Sequence, residues 1–313
     1  MSRPFSFFRS PFGKGDTEST GDGGQRLNVN ETLLASLRAQ QTTLRIVVTL
    51  YAFGLLSVME SAGESADFPL RTFLLERTGS ERFAWAFLQF GTTASAISCF
   101  TLALIAGLAG TQAPKTRAVL LHVSLLAALL ATIWQAAISI SAAFAEGAFQ
   151  IWMIGQDAGM LILPIALARS IQISSDSASA EQTLQQVSRW LAYAAAIVFF
   201  CYGWKVIFHP VTVDSLLTRS ISRWNGYQLV DSVTRTLMWG FAFLEWGLAL
   251  LAIWGPRRLA MLGIAMWGMI AALSRISANG LFVWDEALLR AVVSGIAIAS
   301  LWGIPQKPEG NIQ

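Results

Sequence analysis

The sequence predicts an all-α integral membrane protein of about eight transmembrane helices, arranged as two parallel-related four-helix bundles. Three observations predict it. The chain is 54% hydrophobic and only 13% charged, with a mean hydropathy of +0.52, whereas a soluble domain carries about 25% charged residues. The charge is concentrated in residues 1–43 and in short loops, which leaves several apolar runs near the ~20 residues that a helix needs to cross a ~30 Å hydrocarbon core. Finally, the order of spans and loops recurs in the two halves of the chain.

Residues 1–43 read as a largely disordered cytoplasmic segment. Within it 13–26 (GKGDTESTGDGGQR) is too polar to bury a core, and nothing there has the apolar stretch and cleavage site of a signal peptide. Asn30 is placed to cap a short surface helix carrying Leu33, Leu34, Leu37 and Leu44, which leads into the first span. The first membrane half is 44–169, with spans near 44–60, 86–109, 117–137 and 150–168. The fourth of these contains Gln156 and Asp157. A Ser- and Gln-rich linker follows at 170–186. The second half, 187–305, has spans near 189–207, 236–254, 259–277 and 287–304, and 306–313 is a C-terminal tail. The long loops 61–83 and 208–235 mix Phe, Leu and Trp with charges, which predicts short amphipathic helices on the outer leaflet.

The Lys and Arg residues set an orientation, because basic residues favour the cytoplasmic side of a membrane. Arg38, Arg45, Lys115, Arg117, Arg257 and Arg258 fall on the side shared with the N-terminus, and the bias predicts a multi-pass protein of the cell membrane with both termini cytoplasmic. The repeat can be numbered. Arg45 and Arg189 open the first span of each half, 144 residues apart. Gly110 and Gly255 close the second spans, 145 apart, and each is followed by a basic turn, KTR at 115–117 and PRR at 256–258. Four spans per half makes the repeats parallel rather than inverted.

Several chemistries find no support. The net charge of +3 is explained by membrane topology, so nucleic acid is not a predicted partner. Cys99 and Cys201 each lie inside a span with no CxxC, and His122 and His209 stand far apart with no HExxH, so no metal site is predicted. GxxxxGK[ST] and GxGxxG are both absent.

The segments FFCYGWKVIFHP (199–210) and FLEWGLALLAIWGPRRLAML (243–262) resemble the DoxX-like family of four-helix membrane proteins. Gly203, Lys205, Glu245 and Gly255 match its pattern of a glycine and lysine closing the first helix, then an acidic residue entering the second, then a glycine and a short turn. The resemblance covers about 188–304. In the first half Cys99 stands where Glu245 does, and Glu60 where Lys205 does, a departure from the pattern. The resemblance implies the fold and an association with membrane redox chemistry, in some members quinone-linked sulfur oxidation.

Ionisable residues inside spans are costly and are therefore site candidates. Glu245 sits about nine residues from the end of its span, ~14 Å deep, suited to carrying a proton, bonding a quinone or bonding a neighbouring helix. Lys205, His209 and Arg275 lie near the outer ends of their spans. Asp285, Glu286 and Arg290 open the last span, with Glu286 and Arg290 at i,i+4 spacing. Together these residues form either a polar pocket, with Lys205 and Arg275 clamping an anion or headgroup, or a ring of snorkelling interfacial pairs. In the first half Glu60, Gln135, Glu146 and Asp157 are the counterparts. Trp239, Trp246 and Trp267 either line a ligand groove beside Glu245 or pack. Three functions follow: binding a lipophilic ligand such as a quinone, alone or for membrane redox partner proteins; a small-solute permease; and a non-catalytic membrane scaffold. Pro164 is the only proline well inside a span, so the broken helix pair that builds midplane transport sites is not expected.

Overall fold

In the computed structural model, residues 23–61, 69–108, 114–144, 149–172, 177–208, 211–226, 230–280 and 284–304 are described. These residues contain helices and no strand. In chain order the helices are α1 Gly23–Ser61, α2 Pro69–Thr78, α3 Glu81–Leu108, α4 Pro114–Phe144, α5 Ile151–Gln156, α6 Ala158–Ile171, α7 Ser177–Phe208, α8 Val211–Asn225, α9 Asp231–Trp254, α10 Arg257–Asn279 and α11 Trp284–Leu301. Five of them, α3, α4, α7, α9 and α10, are long and apolar enough to cross a membrane. The chain is a multi-pass membrane protein.

Three further predicted spans coincide with helices that differ from those five. The span predicted at 150–168 is two helices, α5 and α6, broken at Asp157, and α6 alone is 14 residues, ~21 Å. The span predicted at 287–304 is α11, only 18 residues long, with Asp285, Glu286 and Arg290 in its first turns. The first is part of α1, a single 39-residue helix, so Asn30 begins no separate surface helix. Segments expected to be irregular are also helical. Residues 23–29 belong to α1, and α7 starts at Ser177, inside the predicted linker. The added turns have an apolar reason: Leu33 and Leu37 of α1 pack on Ala180 and Leu184 of α7. Residues 1–22 and the tail 306–313 lie outside the described residues.

α1 packs against α3, α6 and α11; α4 against α3, α5 and α6; α7 against α5, α6, α9 and α11; and α10 against α9 and α11. The short α2 lies across α3 and α4, and α8 lies across α9 and α10. One apolar core runs through these contacts, from Leu44 and Tyr51 of α1 to Val292 and Ile296 of α11. Helices in lipid associate by close van der Waals packing of small residues and by interhelical hydrogen bonds, because lipid is as apolar as the helix faces. Both occur. A Cβ on Gly155 of α5 would lie 2.3 Å from Cys201 Sγ of α7, so only glycine lets α5 approach α7 this closely. Gln40 Nε2 donates to Ser188 Oγ (2.8 Å) and to the Ala299 carbonyl (3.2 Å), tying α1 to α7 and α11. Arg45 Nε donates to the Ala103 carbonyl of α3 at 3.1 Å.

Candidate functional site

A cavity of about 260 Å³ opens among α7, α8, α9, α10 and α11. Each helix contributes residues at helical spacing. Tyr202, Lys205 and Val206 come from α7, Phe241 and Glu245 from α9, and Trp267, Ile270, Ala271, Ser274 and Arg275 from α10. These i, i+3, i+4 and i+7 steps place each set on one helix face. Arg290 of α11 closes one wall, and Leu216, Leu217 and Ser220 of α8 form another. α8 can do this because it is amphipathic: Leu216, Leu217 and Ile221 are half-buried while Asp214, Arg219 and Arg223 are exposed. Ser220 Oγ donates to the Ser274 carbonyl at 3.2 Å, and Arg223 Nη1 to that of Ala278 at 3.3 Å, so α8 is fastened to α10.

Glu245 is the polar residue of the deep end. It is 7% exposed. Its Oε1 accepts a hydrogen bond from Trp267 Nε1 at 3.1 Å, and its Oε2 is buried with no hydrogen-bond partner. A buried polar atom without a partner costs about 1–3 kcal/mol, so this oxygen is an unused hydrogen-bond acceptor in a residue that lines the cavity. Three cationic residues, Lys205, Arg275 and Arg290, also line the cavity. The Arg290 guanidinium lies 4.4 Å from the centre of the Tyr202 ring, and Lys205 Nζ lies 6.0 Å from that of Trp152 on α5. Arg275 Nη1 pairs with Glu286 Oε2 at 3.3 Å.

Of the residues singled out in the sequence, Glu245, Lys205, Arg275 and Arg290 meet in this cavity. Two others, Glu286 and Trp246, do not line it. Glu286 pairs with Arg275 rather than with Arg290, its i,i+4 neighbour, because Arg290 turns inward onto Tyr202. Trp246 faces α7: its Nε1 donates to the Phe200 carbonyl at 3.0 Å and its ring stacks on Phe200. It packs the helices rather than lining a groove. His209 lies outside the described residues, as do Glu146 and the side chains of Glu60 and Asp285. Sequence reading missed Tyr202 and the α8 leucines. The signal for Tyr202 was available, since it stands three residues before Lys205 on the same helix face.

A second polar group is built around Asp157, where α5 ends and α6 begins. The Tyr51 hydroxyl donates to Gln135 Oε1, Gln135 Nε2 donates to Ser139 Oγ at 3.4 Å, and Ser139 Oγ lies 2.7 Å from Asp157 Oδ2. Tyr51, Gln135 and Ser139 are all buried. Tyr51→Phe would leave Gln135 Oε1 without its donor. The expected result is a loss of about 1–3 kcal/mol of stability, read as a lower melting temperature in detergent. An unchanged melting temperature would mean that the bond contributes nothing.

Cys99 and Cys201 are buried free thiols. Among the described residues no three His, Cys, Asp or Glu side chains converge as a metal site. No family model matches this sequence, and no curated protein or solved structure matches it either.

Proposed function

We propose that this is a DoxX-like membrane protein that binds a lipophilic ligand with a hydrogen-bonding head, a quinone or a molecule of similar chemistry, in the service of a membrane redox system. The observation that carries the reading is Glu245, which lines an otherwise largely apolar cavity and whose Oε2 is buried and unpartnered. A carboxyl group there suits both forms of a quinone: protonated, it donates to a carbonyl; ionised, it accepts from a hydroxyl. Lys205, Arg275 and Arg290 supply donors in the same cavity. The protein would hold and orient the ligand, and the ligand would carry the redox chemistry.

The same reading takes the chain as eight spans in two related four-helix units, with both termini cytoplasmic and the cell membrane as its location. The neighbour relations support it. α1, α3, α4 and α5–α6 adjoin one another in the same order as α7, α9, α10 and α11. α2 lies over α3 and α4 as α8 lies over α9 and α10, and the α1–α11 contact has its counterpart in α7–α6. In this scheme the Tyr51–Gln135–Ser139–Asp157 chain fills the centre of the first unit, and the cavity occupies the second.

The test is mass spectrometry of small molecules that co-purify with the full chain in mild detergent. Enrichment of a quinone-class lipid over its share of the membrane extract is expected. Bulk phospholipid alone would overturn the ligand reading in favour of a scaffold. A second reading, a small-solute permease, is favoured by the break at Asp157, because interrupted spans with buried carboxylates line transport sites. Proton-dependent solute uptake into proteoliposomes, abolished by Asp157→Asn, would establish it instead.

A further inference from the structure

We infer that the cavity opens sideways into the bilayer, and that its ligand is a lipid whose head stays inside while its hydrocarbon tail leaves between α9 and α10 past Phe241 and Ile270. The inference rests on the ligand-binding reading above and adds the route and the class of molecule. Ile270 lines the cavity, yet it is 52% exposed. A residue that is both cavity wall and outer surface marks the place where the cavity reaches that surface. Depth decides what it meets there. Ile270 is thirteen residues from Arg257 and nine from Asn279 at the ends of α10, ~20 Å and ~14 Å along the axis. That is within the hydrocarbon layer, where the surrounding medium is acyl chains rather than water. Leu273 and Met269, also exposed on α10, flank the opening with apolar surface.

The inside of the cavity is arranged to match. Phe241 and Trp267 pack at a tilt of 56° across the α9–α10 seam, ring centres 5.1 Å apart. This forms an apolar waist beside the Glu245–Trp267 hydrogen bond. Two poles line the same cavity: Glu245, whose second oxygen is unpartnered, and Arg290 over Tyr202. A flat ring with oxygen at opposite ends can address both poles while its tail points out at the waist. A water-soluble solute has no use for an exit into lipid, and the fastening of α8 to α10 covers the cavity on another side.

The experiment compares two probes in nanodiscs holding the full chain: a decyl-substituted benzoquinone and the same ring without the tail. Ile270→Trp narrows the opening at a residue that already faces lipid. It should weaken the tailed probe by about tenfold or more and leave the tail-less ring within about twofold, while Met266→Trp, at an exposed position of α10 that does not line the cavity, should leave both unchanged. Equal effects of Ile270→Trp on the two probes, or no effect on either, would overturn the lateral exit. A separate readout distinguishes its failure from failure of the ligand reading. F241C labelled with a fluorophore should be quenched by phospholipids brominated on their acyl chains; the native cysteines are buried and label slowly. Absence of quenching sinks the opening. Quenching without binding of either probe by the unaltered protein would sink the quinone reading and leave the opening standing for another lipid.

Discussion

Glu245→Gln is expected to keep the protein folded and to change which form of the ligand it holds. The substitution preserves shape. The amide oxygen can still accept from Trp267 Nε1, so the bond between α9 and α10 survives. What changes is the second oxygen. The unpartnered Glu245 Oε2 becomes an amide nitrogen, which donates and cannot accept. A quinone carbonyl still finds a donor there, whereas the hydroxyl of the reduced form loses its acceptor. A hydrogen bond to a charged group contributes about 1.5–3 kcal/mol, so affinity for the reduced form should fall by roughly ten- to a hundredfold. Affinity for the oxidised form should stay within a few-fold. The melting temperature should not fall, because a buried ionisable group has been replaced by a neutral one. Binding isotherms with both redox forms check this. Equal affinities in mutant and wild type would reduce Glu245 to a helix-helix bond.

Gly203→Val should have the largest effect on stability. A Cβ at this position would lie 2.7 Å from both Cδ1 and Nε1 of Trp246 and 3.0 Å from the Ala242 carbonyl oxygen. The indole cannot easily give way, since its nitrogen is bonded to the Phe200 carbonyl, and the carbonyl oxygen is α9 backbone. The remaining relief is to move α7 away from α9. Overpacking of this kind costs about 1–3 kcal/mol. It would also carry Tyr202 and Lys205 away from Glu245, so binding should fail along with stability. Thermal unfolding in detergent and ligand binding measure the two effects. A variant that melts and binds like the wild type would show that the seam is soft.

Much of the fold was legible because composition and hydropathy report it directly. The positions of α3, α4, α7, α9 and α10 follow from apolar runs bounded by charge. The amphipathic α8 follows from Leu and Ile set among Asp and Arg. The break at Asp157 was hidden because Gln156 and Asp157 read as two polar residues inside a span, and nothing local says that a helix will stop there. The extension of α7 to Ser177 was hidden for the opposite reason. Its Ser and Gln residues read as linker, and only the tertiary partners Leu33 and Leu37 make helix favourable. At the site, depth alone grouped Lys205, Arg275 and Arg290, since residues near the same end of neighbouring spans tend to meet. Rotation about each helix axis was not legible. It sends Trp246 to α7 and Trp267 to Glu245, although both are tryptophans within the apolar stretches of their helices.

The Gln40 amide has a consequence for how the protein is made. Its two acceptors lie 148 and 259 residues further along the chain. At a synthesis rate of about 5–20 residues per second, the second arrives roughly 13–50 s after Gln40 itself. During that interval the amide must find water, lipid headgroups or a chaperone, because an unpaired polar group is costly in hydrocarbon. α1 therefore completes its packing only once α7 and α11 have followed it. A chain cut short before α11 would leave this amide without the Ala299 carbonyl.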